Sequence, residues 1–460
     1  SGTPSDTWDG VDCTLYYGSD RAASAKRIVI DQLKYSAANP DQAWTVARLT
    51  HSSNKKKDNS VVGRLAKAFV GLNEKRPDLV TSGNLSVRLV SNQQVAPAVL
   101  NALKGGDPSD EESHGCSGKK SERELLVASS GLREKDFEAF ARTFDLSECG
   151  CESRFGLEER VLAAISEWNH DDARTALDHM MRFVRRAMMP EAKGEFITRQ
   201  SILLCFGFSD SGALFPCPSA LTRVDHPIPR AASRIVADRV TSRDQRICLY
   251  GEGGCGKTTA LQEIETLLPN DSVLIIFDCY GNGRHLNSDA YRHRVPDAFL
   301  QLSNDLASQL RIPLLLSPSR NLDYPRVFKK RLEKASRVVA SRANSALLVV
   351  AVDAADNSVT AANTRSPAER SFVHDFVALS ELPRNVRFIV TGRTGQLPSL
   401  GLPRDFTLIE IEGFARNETA AHVRGFWNEA PDTWIEDFHH LSRGNPRVQA
   451  HGPGFSKILL

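Results

Sequence analysis

The chain has 460 residues, enough for about three domains of typical size, and its 41% apolar and 25% charged residues are those of an ordinary globular protein. The formal net charge of only +2 at pH 7 excludes a global basic field, so any nucleic-acid site has to be a local basic patch. No apolar run approaches the roughly 20 residues that a membrane-spanning helix needs, and the nine scattered cysteines are typical of reduced thiols, so we expect a cytoplasmic protein without a membrane partner.

Two short strands begin the chain. Alternating apolar residues predict strands over Val11–Tyr17 and Lys26–Tyr35. If they pair as an antiparallel hairpin, Asp12 lies opposite Gln32, and cross-strand partners share a face of the sheet. Lys34 shares that face with Gln32 because side chains alternate along a strand. The hairpin therefore brings a carboxylate, an amide and a lysine together.

This trio resembles the D…(D/E/Q)-x-K core of restriction-endonuclease-like nucleases. The resemblance implies that Asp12 binds Mg²⁺ as the main metal ligand, that Gln32 supports the metal, and that Lys34 polarises the attacking water or the phosphate. The run Gln32-Leu33-Lys34-Tyr35-Ser36, followed by Ala43-Trp44-Thr45, is similar to effector nucleases fused to antiviral STAND proteins. Gln32 stands where this family usually has Glu, which removes one charged metal ligand.

A basic segment follows the hairpin, and its charge suits the backbone of double-stranded DNA, with salt-sensitive binding. Its basic residues are Arg48, His51, Lys55–Lys57, Arg64 and Lys67. The lysine triplet by itself is equally typical of a solvated loop, and a half-exposed hairpin without catalytic function remains an alternative interpretation of the first two strands.

The middle of the chain is predicted to be mostly helical. Gly, Ser and charged residues over Lys104–Lys120 predict a flexible loop, and Glu122–Met189 has helical periodicity. Two further pairs, His114/Cys116 and Cys149/Cys151, could give four zinc ligands, but their spacing is not that of a familiar zinc knuckle, which favours no zinc. We assign residues 1–155 to a nuclease-like effector domain and 156–223 to a helical connector.

The stretch Gly251-Glu252-Gly253-Gly254-Cys255-Gly256-Lys257-Thr258 fits G-x-x-x-x-G-K-[ST], between a predicted strand and a predicted helix. Its backbone N–H groups and the helix dipole are expected to cradle the phosphates of ATP. Lys257 is expected to reach the β- and γ-phosphates, and Thr258 to ligate Mg²⁺. The candidate nucleotide-binding residues of this loop are Gly251, Gly253, Gly254, Cys255, Gly256, Lys257, Thr258 and Thr259.

Near-continuous apolar runs that alternate with helical segments predict a parallel sheet covered on both faces. The runs are Ile247–Tyr250, Val273–Phe277, Leu347–Val352, Val386–Thr391 and Phe406–Ile411. Ligands of such sheets bind at the carboxyl ends of the strands. There, Asp353 is expected to hold Mg²⁺ and to contribute to the nucleotide site, and Asp356 to orient or deprotonate the attacking water. Arg393 is expected to reach the γ-phosphate.

Asp353-x-x-Asp356, with Thr391-Gly392-Arg393 after the next strand, resembles the STAND class of signalling NTPases, in which the strand-end arginine is a sensor. Gly413-Phe414 and Gly444-Asn445-Pro446 are similar to the helical module that follows the STAND nucleotide domain, where a Gly-x-Pro packs near the nucleotide. The resemblance therefore places Pro446 at the nucleotide site.

A narrower resemblance is carried by Phe277–Arg284, Arg292–Arg294 and Gln301–Ala307, which are similar to bacterial antiviral STAND proteins of the Avs group. In the STAND class the lead-in Asp225–Arg230 lies against the adenine, although it is equally typical of a proline-rich interdomain linker. We assign residues 224–412 to a P-loop STAND NTPase domain and 413–460 to the start of a C-terminal helical subdomain, which we expect to be truncated.

Taken together, the resemblances imply an α/β protein in which a restriction-endonuclease-like nuclease domain is joined by helices to a P-loop parallel-sheet NTPase domain. They imply ATP and Mg²⁺ as cofactors, double-stranded DNA as substrate and a phage protein as the activating ligand of a C-terminal sensor that this chain lacks. On activation the chain is expected to form a homo-oligomer, a tetramer.

Two alternatives stay open. One is a nucleotide-switched signalling scaffold whose N-terminal domain only binds. The other is a DNA-repair or transport ATPase, which is disfavoured because an ABC-type enzyme has an L-S-G-G-Q-like signature between its Walker motifs and this chain has none.

Overall fold

The computed structural model describes residues 11–19, 21–52, 59–104, 120–150, 154–170, 172–189, 191, 196–224, 227–242, 244–318 and 322–451. Contacts divide the chain into an N-terminal unit, residues 1–163 and 194–198, and a C-terminal unit, residues 164–193 and 199–460. Some of the sequence predictions concern residues outside the described ranges, namely His114, Cys116, Cys151, Lys55–Lys57, 105–119, Asp225 and His226.

The N-terminal unit contains a four-stranded sheet in the order β1-β2-β3-β4. Its strands are β1 (Cys13–Tyr17), β2 (Arg27–Lys34), β3 (Leu85–Ser91) and β4 (Phe144–Asp145). β1 pairs antiparallel with β2, whereas β2, β3 and β4 are parallel to one another. The predicted hairpin is confirmed. A mixed sheet of this kind does not by itself identify the restriction-endonuclease-like fold, which stays a prediction.

Helices cover this sheet: α1 (Val46–Thr50), α2 (Val61–Lys75), α3 (Pro77–Thr81), α4 (Pro97–Lys104), α5 (Glu122–Ser130) and α6 (Glu134–Thr143). The longest, α2, begins where the Ser60 hydroxyl accepts a hydrogen bond from the Gly63 N–H, a typical N-cap. Its apolar face is buried together with one face of β2 and β3. Phe69 packs edge-on against Phe140 at a ring distance of 5.6 Å, so helices and sheet share one core.

The C-terminal unit is built on a five-stranded sheet in the order β6-β7-β8-β5-β9, and every neighbouring pair is parallel. The strands are β5 (Arg246–Tyr250), β6 (Val273–Asp278), β7 (Leu348–Asp353), β8 (Val386–Gly392) and β9 (Thr407–Glu410). All predicted apolar runs are therefore strands of one parallel sheet. Every residue of β7 and β8 is buried, as expected for strands covered on both faces.

The remaining helices are α7 (Arg154–Trp168), α8 (Ala173–Ala187), α9 (Arg199–Cys205), α10 (Ala231–Thr241), α11 (Lys257–Leu267), α12 (Val295–Leu310), α13 (Tyr324–Arg342), α14 (Ala355–Asn363), α15 (Phe372–Ala378), α16 (Arg416–Phe426), α17 (Asp432–Ser442) and α18 (Pro446–His451). Single turns of 3₁₀ helix occupy Gly212–Leu214 and Arg284–Leu286, and a longer one Thr394–Leu400. Among the described helices, none combines the length and the apolar character needed to cross a membrane.

The strand order decides which residues meet at the predicted nucleotide site. β8 lies between β5, which precedes the P-loop, and β7, which ends in Asp353. Because all these strands are parallel, their carboxyl ends lie along one edge of the sheet. The glycine loop, Asp353 and Arg393 therefore come together although they are far apart in the chain.

Candidate functional site

The glycine loop connects β5 to the N-terminus of α11. Gly254 and Gly256 have φ angles of 82° and 96°, a backbone conformation that residues with side chains rarely adopt. Gly256 is the N-cap of α11, so the loop leads into a helix end with free N–H groups and a positive partial charge. The structure thus gives the P-loop the strand–loop–helix setting that phosphate binding needs.

The Lys257 ammonium lies against its own loop. Its Nζ donates hydrogen bonds to the carbonyl oxygens of Gly251 and Glu252, both at 2.8 Å. The group that the sequence assigns to the β- and γ-phosphates therefore caps two loop carbonyls in this conformation.

Thr258 and Asp353 meet directly. The Thr258 hydroxyl donates to Asp353 Oδ2 at 2.8 Å, and the Thr391 hydroxyl donates to Asp353 Oδ1 at 2.6 Å. Asp353 is only 2% exposed, and this burial raises the pKa of its carboxyl above the ordinary value, against the two hydroxyl hydrogen bonds. A hydroxyl and a carboxylate oxygen side by side are a donor set that suits Mg²⁺, so the residues fit the metal that the sequence predicts.

Asp356 and Arg393 form a second pair at the same edge of the sheet. Arg393 Nε lies 3.1 Å from Asp356 Oδ2, and Arg393 Nη2 donates to Asn357 Oδ1 at 2.8 Å. Asp356 is 3% exposed, and burial raises its pKa while the Arg393 guanidinium opposes that shift. About half of the Arg393 side chain is exposed, so the guanidinium can be reached from solvent.

His285 interacts with the Asp356–Arg393 pair and was not predicted from the sequence. It is buried in the 3₁₀ turn after β6, and its charge interactions are with Arg393, Asp356 and Asp278. Burial lowers the pKa of its imidazole, which favours the neutral ring. A polar side chain a few residues beyond a strand end was a signal that could have found it.

The segment Gly444-Asn445-Pro446 lies on the glycine loop, where the STAND resemblance places it. Asn445 Nδ2 donates to the Gly253 carbonyl at 2.9 Å, and the Arg447 N–H donates to the Gly254 carbonyl at 3.3 Å. Pro446 Cγ is 3.9 Å from the position that a Cβ on Gly256 would take. Asn445 was not among the predicted site residues.

Arg230 is a second residue that the sequence analysis left out of the site and named only as the end of the lead-in. It is 5% exposed, and its Nη1 donates to the Cys255 carbonyl at 2.7 Å. Its Nη2 donates to the carbonyls of Glu412 and Gly413 at 2.9 and 3.0 Å. An arginine in a proline-rich lead-in matches no known motif, and most of the partners of Arg230 are far away in the chain. Periodicity and spacing therefore could not show that Arg230 bonds the glycine loop.

The candidate nuclease residues lie at the end of the β1–β2 hairpin. Cys13 pairs with Asp31, and continuing this register by one residue sets Asp12 opposite Gln32, as predicted. The Asp12 carboxylate accepts a hydrogen bond from the Leu33 N–H at 2.7 Å. The structure records no hydrogen bond or ion pair among Asp12, Gln32 and Lys34 within the described part of the chain.

Gln32 carries the most informative atom of this group. The residue is 1% exposed, and its Oε1 is buried with no hydrogen-bond partner among the described residues. A buried amide oxygen without a partner costs about 1–3 kcal/mol, and such an oxygen is a ligand that Mg²⁺ accepts. Across the described ranges, no group of three or more His, Cys, Asp and Glu side chains is arranged to hold a metal.

The structure also shows the contacts of Arg48 and Cys149, two further residues singled out in the N-terminal unit. Arg48 Nη1 donates to the carbonyls of Gln42 and Ala43, and its guanidinium lies 4.3 Å from the centroid of the Trp44 ring. Arg48 therefore holds this loop together, and its assignment to a DNA-binding basic strip stays a prediction. Cys149, the one described candidate zinc ligand, donates through Sγ to the Leu89 carbonyl at 3.2 Å.

Comparisons with solved structures find archaeal ATPases. A Walker-type ATPase of Pyrococcus abyssi is 18% identical over 54% of this chain and 74% of its own, with a TM-score of 0.37. A STAND protein with a tetratricopeptide repeat sensor from Pyrococcus horikoshii is 17% identical over 50% of this chain and 30% of its own, with a TM-score of 0.30. The ORC2 protein of Aeropyrum pernix is 13% identical over 47% of this chain and 55% of its own, also with a TM-score of 0.30.

No protein-family model matches the chain, and no curated protein matches it. The P-loop NTPase fold of the C-terminal unit is assigned from its own geometry: a parallel sheet, the glycine loop between β5 and α11, and the Thr258–Asp353 pair.

Proposed function

We propose that this chain is an ATP-binding STAND-type immune protein whose nucleotide site controls an N-terminal Mg²⁺-dependent endonuclease that degrades double-stranded DNA. The observation that carries the nucleotide half is the 2.8 Å hydrogen bond from Thr258 to Asp353 beside a complete glycine loop. The loop motif, the strand order and the buried Asp353 carboxylate all support a nucleotide site at this position.

In the proposed nucleotide site the glycine-loop N–H groups bind the phosphates. Lys257 leaves the carbonyls of Gly251 and Glu252 and turns its ammonium to the phosphate oxygens. Thr258 and Asp353 hold Mg²⁺, which supplies charge neutralisation of the phosphates when bound.

Arg393 and Asp356 are the proposed switch of this site. Their ion pair keeps the carboxylate of Asp356 from orienting a water. A γ-phosphate competes for the Arg393 guanidinium, and its capture frees Asp356 to position the attacking water and accept its proton. Occupation by ATP is thereby distinguished from occupation by ADP, which fits a switch better than a motor.

The nuclease half is supported by the register of Asp12 and Gln32 and by the unpartnered Gln32 Oε1. Asp12 and Gln32 are the proposed metal ligands, and Lys34, at the end of β2, polarises the phosphate or the attacking water. When bound, Mg²⁺ supplies a Lewis acid and an activated water. Gln32 in place of Glu makes the metal site weaker, so the nuclease is expected to be poorly active before activation.

The proposed partners follow from the STAND resemblance of the motifs. A phage protein, recognised through a C-terminal sensor, is the proposed trigger. Homo-oligomerisation, as a tetramer, is the proposed consequence in the cytoplasm. Nuclease domains brought together in this way could cut both strands of a duplex.

One observation favours a second function, a nucleotide-switched scaffold with a non-catalytic N-terminal domain. The Asp12 carboxylate already accepts the Leu33 N–H at 2.7 Å, which is a structural use of that side chain. This scaffold predicts that Asp12→Ala and Lys34→Ala leave the biological output intact.

Plasmid cleavage separates these functions. Supercoiled plasmid is incubated with the protein, Mg²⁺ and ATP, with and without candidate phage proteins, and nicked and linear products are counted. We expect Lys34→Ala to abolish cleavage and Lys257→Ala to abolish the cleavage that ATP stimulates, whereas the exposed-lysine controls Lys75→Ala and Lys330→Ala behave as wild type. Absence of cleavage with every trigger would contradict the proposed nuclease activity. Cleavage that Lys257→Ala leaves unchanged would contradict its control by ATP.

A further inference from the structure

Two carbonyl groups of the glycine loop are held by side chains from other segments of the chain. The Gly253 carbonyl accepts from Asn445 Nδ2 at 2.9 Å, and the Cys255 carbonyl accepts from Arg230 Nη1 at 2.7 Å. Neither donor belongs to the P-loop motif, and they lie on opposite sides of it in sequence.

Each of these contacts fixes the direction of an N–H group. In a trans peptide the C=O of one residue and the N–H of the next point in opposite directions. A carbonyl of Gly253 that is held by Asn445 therefore points the N–H of Gly254 the other way. The Cys255 carbonyl, held by Arg230, does the same for the N–H of Gly256. Both glycines have positive φ and lack a Cβ, so sterics restrict their backbone less than that of other residues.

Asn445 is itself held in one orientation. Its Oδ1 accepts from the N–H groups of Arg447 and Val448 at 3.0 and 3.3 Å and so caps the start of α18. With the amide oxygen engaged in this way, the amide nitrogen is left to face the Gly253 carbonyl. One side chain therefore caps the helix and holds the loop.

Arg230 is anchored just as firmly. Its second nitrogen, Nη2, donates to the carbonyls of Glu412 and Gly413, and its Nε lies 3.6 Å from Glu418 Oε2. A single guanidinium thus ties the glycine loop to the segment that leads into α16. A lysine has a single nitrogen and lacks the planar fork whose two ends make these separate contacts.

We propose that Arg230 and Asn445 are positioning residues of the phosphate cradle, which hold the Gly253 and Cys255 carbonyls away from the ligand and so aim the N–H groups of Gly254 and Gly256 at it. The proposal rests on the nucleotide site proposed above. Its consequence is that the α16–α18 segment is part of the phosphate site, since phosphate binding and docking of this segment favour each other by the same factor.

Nucleotide affinity of well-chosen variants tests this role. Asn445→Ser keeps an N-cap acceptor for α18, but its hydroxyl is too short to reach the Gly253 carbonyl. Arg230→Lys keeps the positive charge but removes the planar guanidinium group and its separate nitrogen donors. Val448→Ala, on the exposed side of the same helix, is the control. ATP, ADP and pyrophosphate are titrated into each protein by calorimetry, and amide hydrogen exchange is followed in the glycine loop.

We expect Asn445→Ser to bind all three ligands about 5-fold more weakly, the factor for one ordinary hydrogen bond, and Arg230→Lys to lose at least as much. A weaker affinity for pyrophosphate would show that the substitution acts on the binding of the phosphates and not on that of the nucleoside. Exchange at Gly254 should be faster in Asn445→Ser while the α18 amides keep their protection.

Two negative results have different meanings. If wild type binds ATP and both variants bind all three ligands as wild type does, the positioning role is contradicted while the nucleotide site stands. If wild type binds none of the three ligands, the proposed nucleotide site is contradicted, and the positioning role with it.

Discussion

Arg393 and Asp356 form an ion pair at the carboxyl edge of the parallel sheet, with 3.1 Å between Arg393 Nε and Asp356 Oδ2. The pair joins the residue assigned to sensing the γ-phosphate with the residue assigned to the attacking water. In the function proposed above, a γ-phosphate competes with the Asp356 carboxylate for this guanidinium.

Removal of this guanidinium should weaken the preference for ATP over ADP. Arg393→Ala is expected to reduce the preference for ATP over ADP by at least about 10-fold, because a hydrogen bond to a charged group is worth about 1.5–3 kcal/mol and only ATP has the γ-phosphate. Calorimetric titration with both nucleotides measures the ratio. Arg384→Ala, at an exposed arginine before β8, is the matched control. An unchanged ratio in Arg393→Ala rules out the sensor role.

Thr258 should contribute to stability as well as to metal binding. Thr258→Val keeps the shape of the side chain and removes the hydroxyl that bonds Asp353 Oδ2. We expect it to lower the free energy of unfolding by about 1–3 kcal/mol, the cost of leaving a buried acceptor without a partner. Thr258→Ser should recover most of that loss, as measured by urea unfolding without nucleotide. Equal stability of Thr258→Val and wild type would show that the bond contributes nothing.

If Gln32 is a metal ligand, a substitution at this position should change how strongly Mg²⁺ stabilises the protein. Gln32→Glu introduces the residue that is usual in the nucleases this hairpin resembles, at the position opposite Asp12 in register. Because a second carboxylate at a site that is 1% exposed is unfavourable until a cation neutralises it, Mg²⁺ should raise the melting temperature of Gln32→Glu more than that of wild type. The exposed Gln42→Glu serves as control. If Mg²⁺ shifts all three proteins equally, Gln32 is not a metal ligand.

The stability of the C-terminal unit should fall in acid through Glu369. The Arg294 guanidinium, at 2.8 Å, holds the pKa of this carboxyl at about 2, below its ordinary value of 4.5. A carboxyl whose pKa is lower in the folded state stabilises the fold above its unfolded pKa, and this stabilisation is lost as the pH falls from 4.5 to about 2. The free energy of unfolding of Glu369→Gln should therefore fall less steeply over this window. Parallel pH profiles for wild type and variant would contradict the ion pair.

The sequence was sufficient for features that depend on local pattern. The glycine loop, the five parallel strands and the meeting of Thr258 with Asp353 follow from a motif, from apolar runs and from the rule that strand ends share an edge. The placement of Asp12 opposite Gln32 follows from hairpin geometry alone.

Other features depend on contacts between distant segments. Arg230 bonds the carbonyl of Cys255 and, far along the chain, those of Glu412 and Gly413, and no periodicity reports such a bridge. Arg48 looks in the sequence like one of several basic residues near the hairpin, yet neighbouring carbonyls and the Trp44 ring engage it. Charge counts do not reveal which guanidinium groups are already bound.

The proposed function requires that the nucleotide site controls cleavage at the candidate nuclease residues Asp12, Gln32 and Lys34. The most direct measurement titrates ATP into the protein with Mg²⁺, plasmid and an activating phage protein, and compares the ATP concentration for half-maximal cleavage with the Kd for ATP. If ATP binding controls cleavage, the two values coincide in wild type, and Asp12→Ala loses cleavage but keeps the same Kd. Cleavage that is independent of ATP, or that survives in Asp12→Ala, would contradict it.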